Sequence, residues 1–177
     1  YLRYQSDGFK RYEDYAAEGF KRNDIIAKMM VKTDKVRGVN HALELKFGYA
    51  GENSDETYVG LSADDFKKTP FLRYAGSQMD KLKTDHQQWV ATYLLTFSNK
   101  LKVTTNAYYN YFHRNWYKLN DVRAGITSKE KISVADVLID PETNIRYFDI
   151  LTGKTDREGE ALLVRANNRT YRSRGIQ

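Results

Sequence analysis

The three histidines, His41, His86 and His113, are the side chains best suited to hold a transition metal. Two ligands on one element must sit at i, i+2 or i+4 to share a face, and none of the three has such a neighbour. No cysteine is present, so thiolate ligands, disulfides and thiol nucleophiles are absent, and the compartment is left open. "TGKT" at Thr152 to Thr155 has the ending of a phosphate loop. The glycine that such a loop needs five residues before Gly153 is Phe148, so the phosphate cradle cannot form. "NRT" at 168–170 matches a glycosylation acceptor, a pattern short enough to occur often by chance. The paired carboxylates Asp64 and Asp65 follow Ser62 at helix-capping distance and need no catalytic explanation. No grouping able to make or break a covalent bond emerges. The expectation is therefore no enzyme, no catalytic residue, no metal and no cofactor.

The elements that carry these residues are read from composition and periodicity. With 177 residues, the chain is nominally one domain. It begins without Met and stops at Gly175, Ile176 and Gln177 in mid-pattern, which reads as a piece of a larger protein. Two prolines and eleven glycines argue against a disordered chain. The net charge of +6 raises the question of nucleic acid. Lys and Arg are interspersed with 23 acids, however, so a solvated surface is the expectation and no nucleic-acid partner is. No apolar run reaches the ~18 residues of a membrane helix. A β-barrel wall escapes that test, because its apolar residues fall at every second position.

Such alternation is present. From 39 to 51, Val39, His41, Leu43, Leu45, Phe47 and Tyr49 oppose Asn40, Ala42, Glu44, Lys46 and Gly48. From 85 to 97, Trp89, Ala91, Tyr93, Leu95 and Phe97 oppose His86, Gln88, Val90, Thr92 and Thr96. From 101 to 113, Leu101, Val103, Ala107, Tyr109 and Tyr111 oppose Lys102, Thr104, Asn106, Tyr108 and Asn110. A weaker stretch at 24–33 and another at 162–172 bring the expected strands to about five. A tilted strand needs about 9–11 residues to cross a bilayer, and these runs suffice.

The connections alternate in length. Asp34 to Gly38 and Ser98 to Lys100 read as tight turns, with Gly38 and Asn99 able to take positive φ. The inserts at 52–83 and from 114 to about 160 are long. Short turns at one end and long loops at the other are the rhythm of outer-membrane barrels. Phe97 and Leu101 beside a short turn, and Tyr49, Tyr109 and Tyr111 toward the long-loop end, suit two aromatic girdles. Each insert carries the same helix grammar. Ser62, Asp65 and Pro70 recur as Ser133, Asp136 and Pro141, with one spacing from Ser to Pro. A short helix with a serine N-cap and a proline stop is expected in both.

The stretch "ETYVGLSADDFKKTPFLRYAGSQMD", with "TTNAYYNYFHRNWYKL" and "RANNRTYRSRGIQ", resembles the barrel of TonB-dependent outer-membrane receptors. It is most similar to the ferric-citrate receptor type. The resemblance rests on Glu56, Thr57, Tyr58, Gly60, Leu61, Asp65, Phe66, Pro70, Arg73, Tyr74, Ala75, Ser77, Gln78 and Asp80. A second set is Arg114, Trp116, Lys118 and Leu119. The plug domain and energy-coupling box of such receptors are not found here and would precede this segment. The implied fold is all-β: an antiparallel arc of about five strands plus long loops, residues 1–177 being part of a large transmembrane barrel. The implied location is the outer membrane of a Gram-negative bacterium. The implied partners are the TonB complex through the plug, outer-membrane lipid and lipopolysaccharide, and a small anionic metal chelate as ligand. The implied activity is energy-driven uptake of a scarce nutrient such as ferric citrate. Loop cations and aromatics would meet an anionic ligand, which makes Arg73, Tyr74, Gln78, Arg114, Trp116 and Lys118 the candidate contacts.

The face assignment follows from period two. Leu43, Leu45, Trp89, Tyr93, Leu95, Val103 and Tyr109 are expected toward lipid, and Glu44, Lys46, His86, Thr92, Lys102 and Asn106 toward the lumen. The same strands and tyrosines could instead build a soluble or surface β-rich module that binds a glycan or protein. A nucleic-acid-binding β-domain would rest on charge alone, with Tyr108 to Tyr111 lying near Lys102 and Arg114.

Overall fold

The computed structural model describes residues 1–8, 10, 19–125, 129–156 and 159–177. Its body is one antiparallel sheet. Five tall strands follow the sequence runs: β2 (Phe20–Val36), β3 (Val39–Ser54), β4 (Lys81–Thr96), β5 (Lys102–Ala124) and β7 (Glu160–Ile176). Two shorter strands, β1 (Leu2–Ser6) and β6 (Ile132–Ser133), were not foreseen. The order is β1-β2-β3-β4-β5, and both β6 and β7 pair with β5. The all-β antiparallel expectation holds, and β3, β4 and β5 are consecutive neighbours as the alternation required.

Two boundaries differ from the sequence reading. β5 runs on to Ala124, so the second insert starts near Gly125 and not at 114. Arg114, Trp116 and Lys118 are therefore strand residues. The reason is pairing: β7 accompanies β5 as far as Ala124↔Glu160, well past the last β4 partner, Tyr117↔Lys81. The turn after β2 is also tighter, because Val36 pairs with Val39. Arg37 and Gly38 take positive φ there (51° and 87°), the pair of left-handed residues a two-residue hairpin needs. Asn99 does not share that conformation. Its turn is closed by Ser98, whose Oγ accepts from the backbone N–H of Lys100 and of Leu101.

Register runs without a shift from β3 to β5, and in β2 up to Thr33, which makes the two faces readable across that part of the sheet. Val31, Leu43 and Tyr93 lie in one row, Met29, Leu45 and Ala91 in the next, then Ala27, Phe47, Trp89 and Tyr109. Phe47 and Trp89 meet at a tilt of 46°, 4.3 Å between ring centres. No second sheet covers this face among the described residues, and Met29, Val31, Leu43, Leu45, Trp89 and Val103 are all exposed. On the opposite face Lys28 pairs with Glu44 at 2.9 Å, and Thr92 donates to Asn106 at 2.8 Å. Gln88 donates to Asn110, which donates to Ser173. One face is apolar and bare. The other carries a hydrogen-bonded polar ladder over β3, β4, β5 and β7, with Ile26 and Met30 of β2 exposed at its edge.

The buried core lies at one end of the sheet. Val59 and Tyr74 of the first insert meet Val134, Val137, Phe148, Ile150 and Leu151 of the second over Leu119 and Val122 of β5. Both expected helices are present, α1 (Ala63–Lys68) and α2 (Val134–Ile139). Ser62 Oγ accepts from Asp65 N, and Ser133 Oγ from Asp136 N, as the spacing predicted. A third helix, α3 (Ile145–Thr152), ends at Gly153 with φ +83°. Its amphipathic run "IRYFDILT" was passed over because no N-cap serine announces it: Asn144 makes no side-chain cap.

Candidate ligand-facing site

The first insert is held by three buried polar groups. Asp80, fully enclosed, accepts from Thr57 Oγ1 at 2.5 Å and from the Leu119 backbone N–H at 2.6 Å. It thereby joins the insert to β5. Burial pushes the Asp80 carboxyl upward, against the pull of these two donors and of the nearby Arg73 and Lys10 charges. Arg73 is also enclosed. Its Nε donates to Ser77 Oγ at 2.9 Å, one fork nitrogen to the Ser77 carbonyl and the other to the Asp55 carbonyl. Tyr74 accepts from the Ser62 N–H and donates to an Asp65 carboxylate oxygen at 2.6 Å. Burial and that carboxylate push the phenol up to about 12. Its ring meets Phe148 edge-on at 5.7 Å, which ties the two inserts together.

A different group forms where β5 leaves β4. Arg114, Trp116 and Lys118 alternate on β5 in phase with Asn106 and Asn110, so they project on the polar face. Trp116 meets Tyr58 of the first insert at 5.6 Å, edge to face. The Lys118 ammonium sits over both rings, 4.9 Å from Trp116 and 5.0 Å from Tyr58. Tyr58 also donates a short hydrogen bond to the Leu119 carbonyl, which anchors the insert over this spot.

Across the strand the partners are cations again. Lys118 faces Arg165 and Arg114 faces Arg169, with Trp116 opposite Asn167 between them. Directly opposed like charges destabilise a sheet. Among the described residues, no ion pair within 4.0 Å involves any of these four cations. Arg114 Nε and Asn167 Oδ1 are buried without a hydrogen-bond partner among the described residues. The arrangement is a cationic rung with unused donors beside a Tyr–Trp pair, chemistry suited to a carboxylate-bearing anion.

The six sequence candidates thus divide. Arg114, Trp116 and Lys118 come together on one face. Arg73 and Tyr74 are turned into the insert and bonded there, with no surface left for a ligand fork. Gln78 lies apart, on the rim of a cavity between the two inserts. Tyr58, Arg165 and Arg169, which join this group, were not among the sequence candidates. Tyr58 was visible inside "ETY", and Arg165, Asn167 and Arg169 alternate at strand period, but their alignment with Lys118, Trp116 and Arg114 depends on register. Comparison with protein-family models, with curated proteins and with solved structures found no match to this chain.

Proposed function

We propose that the chain is an arc of an outer-membrane β-barrel wall, part of a TonB-dependent receptor that imports a scarce nutrient as an anionic metal chelate such as ferric citrate. The observation that carries this reading is the two-faced sheet. Strands of 16 to 23 residues bear a bare apolar band on one side and a paired polar ladder on the other. In water such a band would be an exposed apolar patch, whereas lipid removes that cost. The strands exceed the ~9–11 residues that span a bilayer, so their upper parts project beyond it and carry the inserts.

On this reading no bond is made or broken in the ligand. The Arg114–Arg169 and Lys118–Arg165 pairs would attract the chelate's carboxylates, whose charge offsets the opposition of like charges across the two strands. Trp116 and Tyr58 hold the Lys118 ammonium and give the site an apolar wall. The plug, coupled to the TonB complex, would then convert inner-membrane energy into release.

The test is ferric-citrate binding and uptake by the full-length receptor. Replacing Arg114 and Arg169 together by Gln should weaken binding by at least tenfold and flatten its salt dependence, with receptor abundance unchanged. Unchanged affinity would remove the cationic rung from the ligand site. A receptor that is soluble without detergent, and that binds a glycan, would replace the transport reading altogether.

A further inference from the structure

A cavity of about 530 Å³ opens between the two inserts, away from the cationic rung. Ala75, Gly76 and Gln78 of the first insert form one wall. Gly153, Thr155 and Asp156, with Glu160 at the start of β7, form the other. Glu160 is the anomaly. Its side chain is only 5 % exposed, and its one partner among the described residues, Arg146 Nε, is 3.4 Å from Oε1 on a side chain that is itself 62 % exposed. Among the described residues Glu160 Oε2 is buried without a hydrogen-bond partner. A carboxylate oxygen withdrawn from water without a donor is costly, and native structures rarely leave one so.

The surroundings favour a cation. Helix α3 ends at this cavity, and its C-terminus carries partial negative charge. Asp156 adds a second carboxylate on the rim. Among the described residues, the polar side chains that line the space, Gln78, Thr155, Asp156 and Glu160, all offer oxygen, and no imidazole or sulfur is among them. Oxygen-only donors select a hard cation. Among the described residues no three acidic, histidine or cysteine side chains converge, so carbonyl, hydroxyl and water oxygens must complete the shell. Calcium accepts such mixed, irregular shells of 6–8 oxygens, whereas magnesium demands a near-ideal octahedron. The cavity has room for the waters.

We infer that this cavity is a calcium site, with Glu160 as the buried anchor, Asp156 as the second carboxylate, and Gln78 and Thr155 as neutral oxygen donors. The bound ion would bridge the first insert to the second and hold both over the sheet. The inference rests on the inserts' geometry and is independent of what the receptor transports.

The experiment uses the full-length protein, stripped with EDTA and titrated with calcium chloride, read by calorimetry and by thermal unfolding. Calcium should bind and raise the unfolding temperature. Glu160→Gln should weaken binding at least tenfold and abolish the calcium-dependent shift, leaving the EDTA-treated transition in place. Asp156→Asn, on the exposed rim, should weaken binding several-fold and carries the test if the first variant does not fold. No calcium response in the unmodified protein would overturn the site. So would wild-type affinity in Glu160→Gln or, where that variant does not fold, in Asp156→Asn. Ferric-citrate uptake, measured separately, reports on the transport reading alone.

Discussion

Arg73, one of the residues on which the sequence resemblance rests, is spent inside its own insert. A planar fork with fixed donors suits a carboxylate, yet here it clasps two carbonyls and a hydroxyl of its own insert. Arg73→Lys keeps the charge and cannot reach all three acceptors. If the chain is the proposed receptor, the expected outcome is less folded protein in the membrane with ferric-citrate affinity preserved in what folds, as measured by immunoblot against binding per folded molecule. Loss of affinity at normal abundance would reverse the assignment. Tyr74 gives a pH signature. Its folded phenol ionises near 12 whereas an unfolded tyrosine does so near 10, so the folded state holds its proton longer. The stability this contributes is complete below about pH 10 and is lost as pH rises toward 12. Tyr74→Phe should lack that alkaline increment while other tyrosines titrate as before. Parallel pH–stability curves for wild type and variant would contradict it.

At the level of elements, the inserts are built from short helices that could not stand alone. Six-residue helices are too short to be stable in water, and α1 buries none of its own residues. Their caps are local, but their persistence comes from packing. The tightest point is Gly76, where an added Cβ would lie 2.6 Å from the Leu151 carbonyl and 3.1 Å from Leu162. Backbone meets backbone there, so no side-chain rotation can relieve the clash. Gly76→Ala should destabilise the insert pair by about 1–3 kcal/mol. Limited proteolysis should then cut the second insert faster, with the strands below still resistant. An unaltered digestion pattern would show that the two inserts have slack between them.

For the whole molecule, the decisive property is the difference between the two faces. Leu45 sits in the apolar row with Met29 and Ala91, while Thr92 bonds Asn106 on the opposite side. If the bare face meets lipid, Leu45→Arg near the midplane should cost about 2–4 kcal/mol, whereas Thr92→Arg in a polar lumen should cost little. Heat-modifiable mobility of the full-length protein would report the folded fraction. Equal losses in the two variants would overturn the assignment of faces.

The chain's local chemistry determined much of this. Period-two alternation placed β3, β4 and β5 and sorted their faces, because a strand's side chains must alternate whatever surrounds it. Ser62 and Ser133 announced their helices, because a cap is a contact between residues three apart. Helix α3, the length of β5 and the pairing of Lys118 with Arg165 were decided elsewhere. Each depends on partners distant in sequence: Tyr74 against Phe148, β7 alongside the upper half of β5, Asp80 against Leu119. The candidate contacts divided for the same reason. Whether an arginine is spent inside its loop or left free on a strand is set by which carbonyls come within reach, and only the tertiary structure brings them there.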